Sequence, residues 1–182
     1  MRTSHLLSFD PRCCLWAMLL PGLLAIGAAS TSADTPSLVQ RNQVRLTLAG
    51  AELAIQAARQ KAEQMQLQVN ITVVDEGGHP LAFARMDGAR PASAYTSMTK
   101  ATSAATKRDE TGPLRLEGPA GTHLNLAVEN AAASSGGKFT TLKGGIPLRV
   151  DQQVIGAIGG GGATGEQDAE IAAAGRSALY KA

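Results

Sequence analysis

Between Thr47 and Gln64 the apolar side chains recur at helical spacing. Leu53, Ala54, Ala57, Ala58 and Ala62 share one side, while Glu52, Gln56, Arg59, Gln60 and Lys61 cover the other. This predicts an amphipathic helix capped by Thr47. The period then changes to two. Ile71, Val73 and Asp75 alternate with Thr72 and Val74, and β-branched residues dominate, which predicts a strand. Gly77 and Gly78 let the chain reverse. Leu81, Phe83 and Arg85 then alternate with Ala82, Ala84 and Met86 in a returning strand. Asp87 and Gly88 end it, and Pro91 suits the first turn of a new helix. That helix is expected over residues 92–107. Its face of Ala94, Ser97, Met98, Ala101, Ala104 and Ala105 is mostly small. Such a face suits close packing on a sheet, with part of it reaching a subunit interface.

Residues 109–121 hold two prolines and read as a loop. A third helix is expected over residues 122–133. Residues 138–142 and 146–150 then read as strand segments, separated by Gly144 and Gly145. Pro147 donates nothing to a ladder, so its segment belongs at an edge or a bulge. A short buried strand is expected over residues 154–158. Thr164 and Gln167 have capping-box spacing for a last helix from Gly165 to about Lys181. Strands follow strands through short turns, so the fold class is α/β in the α+β sense. A central, largely antiparallel sheet is flanked by helices.

The first thirty residues depart from this pattern. Arg2 and Arg12 precede or open an apolar run, CCLWAMLLPGLLAIGAA, and small residues follow. This is the layout of a secretory signal peptide over residues 1–33, cleaved after Ala33 or after Ser30. Residues 34–46 read as a flexible leader, and residues 47–182 as one domain. The expected location is periplasmic or secreted, with no membrane contact once the signal is cut. Cleavage at Ala33 removes Cys13 and Cys14, and with them disulfides and thiolate chemistry. It leaves 15 of 17 basic and 14 of 15 acidic side chains. So even a balance gives no reason to expect nucleic acid as partner.

Two glycine motifs are weaker than they look. Gly160, Gly162 and Gly165 have dinucleotide-fingerprint spacing after a strand and before a helix. The ribose-binding acid would fall beyond residue 182, and no further strand remains for a βαβ unit. The glycines read instead as a close strand-to-helix turn whose free N–H groups could attract a carboxylate. GGKF at residues 136–139 lacks the Ser or Thr of a phosphate loop.

The hairpin, the RMDGA segment at residues 85–89 and the small-residue helix resemble the GlcG/HbpS family of haem-binding proteins. The same segments resemble the C-terminal domain of PduO-type proteins. The closing segment GGIPLRVDQQVIGAIGGGGATGEQDAEIAAAG is similar too, so the resemblance spans most of residues 47–179. It implies a profilin-like fold, haem or a related tetrapyrrole as cofactor, and assembly into homo-oligomers, octamers in some members. Some members carry a histidine just before the RMDGA segment. Ala84 stands there, and no ligand role is carried over to it.

Haem needs one or two axial donors. His79, His123, Tyr95, Met86 and Met98 are the candidates, and His79 and His123 are preferred because a neutral imidazole ligates iron readily. Arg85 and Lys100 are two cations suited to two propionates. Asp87 completes the candidate set, either paired structurally or as a base. A second reading is a binding protein or enzyme for a small organic acid held by Arg85 and Lys100. A third is a structural oligomer subunit. No catalytic residue is assigned, because two separated histidines offer no triad pattern.

Overall fold

The computed structural model describes residues 43–113 and 118–182. The expected signal peptide and residues 34–42 of the leader lie outside the described residues. Eight elements follow in order: α1 (Leu48–Gln64), β1 (Asn70–Asp75), β2 (Pro80–Arg85), α2 (Ser93–Lys107), α3 (Gly118–Ser134), β3 (Gly145–Val150), β4 (Gln153–Gly161) and α4 (Gly165–Leu179). The strands form one antiparallel sheet in the order β2-β1-β4-β3. Pro147 lies in β3, an edge strand, where its missing donor costs least.

Alternation along β1 sorts its side chains between two layers. Ile71 and Val73 join Ile158, Leu148 and Ile171 in the larger core, beneath the alanines of α1 and the apolar side of α4. Val74 faces the other way and joins Ala101, Ala104, Ala105 and Ala157 under α2. The small face of α2 therefore rests on the sheet. Ala101 is fully buried there, so this part of the face is closed to a subunit interface. The reason lies in β4 and β3: a Cβ on Gly159 would meet the backbone of Ser97 and Ala101, and one on Gly145 the backbone of Lys100. Backbone rests on backbone.

The helix caps follow the local sequence. Thr47 Oγ1 accepts from the amide of Gly50, and Thr164 and Gln167 form a reciprocal capping box. Three expectations need correction. Residues 138–142 form no strand: Ser103 accepts from the Thr140 amide at 2.8 Å and donates to the Lys138 carbonyl at 3.2 Å, so a side chain of α2 satisfies this backbone. β4 is longer than expected and runs through Gly159, Gly160 and Gly161. The end of the leader is not free either. The Gln153 side chain holds Val44 through its carbonyl and amide, and Leu46 packs on the core.

Candidate functional site

The β1–β2 hairpin puts His79 at one end of β2 and Arg85, Met86 and Asp87 at the other. Asp75 organises the turn. Its Oδ1 accepts from the amides of Gly77 at 2.9 Å and His79 at 2.8 Å. The His79 ring Nδ1 lies 3.2 Å from both carboxylate oxygens. Burial opposes ionisation of Asp75, but the bonds from the His79 amide and ring and the Gly77 amide outweigh it. They hold the carboxyl below its ordinary pKa. A carboxylate only accepts, so Nδ1 is the donor in this contact, and in a neutral ring Nε2 keeps its lone pair. The His79 side chain is 78% exposed.

At the other end, α1 and β2 border a groove of about 370 Å³ lined by Arg59, Glu63, Ala84, Arg85, Met86 and Asp87. Arg59 Nε approaches Glu63 at 3.6 Å, one helical turn on. Arg85 and Asp87 are exposed, and their side chains have no ion pair among the described residues. Met86 is half-buried against the main core, and its amide donates to the Val69 carbonyl. Arg59 and Glu63 are additions to the expected set. Their helical spacing only marks them as the polar side of α1, and nothing in it points to β2.

Lys100 is elsewhere. It is 4% exposed, and its Nζ donates to Asp168 Oδ2 at 2.6 Å. Asp168, in the first turn of α4, also accepts from the Ala163 amide at 3.2 Å. The cation expected beside Arg85 thus belongs to a buried ion pair joining α2 to α4. The start of α4 is also no open anion site. Thr164 Oγ1 accepts from the Gln167 amide, Gln167 and Asp168 accept from the amides of Thr164 and Ala163 just before the helix, and Glu166 and Asp168 make this end acidic. Tyr95 is 75% exposed on α2 and Met98 is half-buried there. His123 is exposed on α3, whose residues are mostly exposed. The structure therefore keeps Arg85, Met86 and Asp87 together and separates them from His79, Lys100 and His123. From His79 to Arg85 is roughly 20 Å at the rise of an extended strand. Among the described residues, no cluster of three or more His, Cys, Asp or Glu forms a metal site. None of their helices is long and apolar enough to cross a membrane.

This architecture is similar to that of solved proteins. ORFY of Klebsiella pneumoniae matches with a TM-score of 0.67 at 28% identity, over 81% of this chain and 99% of that one. A haem complex of PduOC matches with a TM-score of 0.60 at 27% identity, over 74% and 95%. GlcG of Escherichia coli (strain K12) is 38% identical over 119 residues, 65% of this chain and 83% of the relative. A family model described as haem degrading protein HbpS-like matches residues 46–177, from the end of the leader to the last turns of α4. The sheet order, the hairpin, the RMDGA loop and the glycine-lined seat of α2 all lie within that match, and the chain belongs to the HbpS-like family.

Proposed function

We propose that this protein binds haem outside the cytoplasm, with His79 as an iron ligand. The observation that carries the reading is the Asp75–His79 pair. A carboxylate on one ring nitrogen fixes the tautomer, orients the ring and raises the basicity of the other nitrogen, the arrangement by which metal-ligating histidines are commonly held. Among the described residues no carboxylate supports His123. Membership of a family described as haem degrading, and the likeness to a protein seen in complex with haem, support the same ligand. Haem would supply an iron centre. The chain's own part is to hold the imidazole through Nδ1 and to offer guanidinium groups to propionates. Arg85 fits that second task, and Arg59 replaces Lys100 as the neighbouring cation.

Titration with hemin tests this. His79→Ala is expected to shift the Soret maximum and weaken binding at least tenfold. Asp75→Asn should weaken it by about 10- to 100-fold, as loss of a ligand's supporting carboxylate generally does. His123→Ala should bind like the wild type. Wild-type affinity and spectrum in His79→Ala would remove the assignment. Export carries its own expectation: intact mass of the exported protein should place its first residue at Asp34 or Thr31. A retained Met1 would rule out cleavage.

A second reading rests on Arg85, exposed in its groove and without an ion pair among the described residues, which suits a small carboxylic acid. Thermal stabilisation by dicarboxylates, lost in Arg85→Ala and unaffected in His79→Ala, would favour it over haem.

A further inference from the structure

We infer that the carboxylic acid suited to Arg85 is a short 2-hydroxy acid, its carboxylate held between Arg85 and Arg90 and its hydroxyl donating to Asn70 Oδ1. This rests on the second reading above, a small acid at Arg85, and names the class of acid. The starting point is a buried atom. Asn70 is fully buried at the start of β1, and among the described residues its Oδ1 is the one buried side-chain polar atom without a hydrogen-bond partner. Buried polar groups are nearly always bonded, and an unmet one costs stability. Asn70 Nδ2 donates to the Arg90 carbonyl at 3.0 Å and lies 3.5 Å from the Gly161 carbonyl. Carbonyls only accept, so the amide cannot be turned over, and the orphan is an acceptor.

The sheet register places the cations beside this acceptor. Asn70 lies opposite Gly161 on β4 and opposite Arg85 on β2. Its nitrogen is drawn to the Gly161 side, so Oδ1, the other branch of the carboxamide, turns toward Arg85. The Met86 amide donates to the Val69 carbonyl, so the next pair, Asn70 and Arg85, is of the closely spaced kind. Their Cα atoms are about 4.5 Å apart and their side chains share one face. Arg90 is pinned to the same place: its carbonyl also accepts from the Ser93 amide, and its Nε donates to Ser93 Oγ at 2.9 Å. Neither arginine has an ion pair among the described residues, although Asp87 lies in the same loop. Oδ1 is closed to solvent while both arginines are exposed, so the hydroxyl reaches it as Arg85 swings onto the carboxylate. These groups select a ligand. Guanidinium groups call for an anion. The acceptor calls for a donor close to that anion, and a hydroxyl on the adjacent carbon supplies one. An ammonium there would also donate, but it would meet two positive charges. A keto acid or an unsubstituted acid brings no donor and leaves Oδ1 unmet.

Calorimetric titration of the protein with each enantiomer of lactate, and with propionate, pyruvate and alanine, tests this. The better-bound lactate should bind about tenfold more tightly than propionate or pyruvate, or better, because a site built to bond a hydroxyl rejects analogues that lack it. Alanine should give no measurable heat. Arg85→Ala and Arg90→Ala should each weaken lactate by about tenfold or more, as loss of a charge-assisted bond does. Asn70→Ala should lower lactate to the level of propionate. That variant also frees the Arg90 and Gly161 carbonyls, and if it does not fold, the wild-type ratio of lactate to propionate decides alone. Equal binding of lactate and propionate, both lost in Arg85→Ala, keeps the acid reading and overturns this inference, because the chain's own side chains then meet Asn70. Binding of none of the acids overturns both.

Discussion

Asp168→Ala is expected to destabilise the protein by about 3–5 kcal/mol, the usual cost of leaving a buried charge without its partner. The side chains of Lys100 and Asp168 are 6% and 1% exposed, and no other carboxylate reaches the ammonium among the described residues. The Ala163 amide loses its acceptor in the same variant. For a domain of this size a loss of that order lowers Tm by about 10 °C or more. Lys100→Met should be damaging as well, because it leaves a buried carboxylate. The double variant Lys100→Met/Asp168→Leu should recover most of the loss, since replacing both partners of a buried pair by apolar groups is often nearly neutral. Urea unfolding of the three variants reads this directly. An Asp168→Ala variant within 1 kcal/mol of the wild type would mean that water, not Asp168, solvates Lys100.

The same pair shows why the fold was more legible than the site. Thr47 and Thr164 announce their helices because a cap is read from residues three apart. Pro147 announces an edge because its missing donor is a property of one residue. The partner of Lys100 lies 68 positions away, and no local pattern points to it. Reading Lys100 as a cation for an external anion followed from its nearness in sequence to Arg85 and Tyr95. The helix turns it instead toward the buried end of α4.

His79 and Arg85 mislead in the opposite direction. Six positions apart, they look like neighbours, but a strand converts closeness in sequence into distance. Arg59 and Glu63 were invisible as site residues for a related reason: the contact of α1 with β2 exists only after the sheet has formed. The segment at residues 138–142 had strand-like composition, yet its backbone is taken by Ser103, a long-range partner that outweighs a weak propensity.

The glycines of β4 give the other large effect. Their spacing reads as a close strand-to-helix turn, whereas the structure seats α2 on Gly159 and Gly161 and the first turn of α4 on Gly160. A Cβ on Gly161 would lie 2.6 Å from the Ser93 carbonyl oxygen, 2.8 Å from Thr96 Oγ1 and 2.9 Å from the Ser97 amide nitrogen. Two of the three atoms are backbone, so no rotamer change relieves the contact, and α2 must move off the sheet. Gly161→Ala is therefore expected to cost about 3 kcal/mol, the upper end of the usual range for overpacking. Gly159→Ala should cost at least as much, because its Cβ meets the backbone of Ser97 and Ala101. Gly112→Ala is the matched control. Nothing lies within 4 Å of its Cβ, and its φ is not among the positive ones. It should change stability by no more than about 1 kcal/mol, and in the stabilising direction, by lowering the entropy of the unfolded chain. Urea midpoints at unchanged slope separate the three. If Gly161→Ala unfolds with Gly112→Ala, α2 sits farther from the sheet than these contacts require, and packing does not explain the glycines of β4.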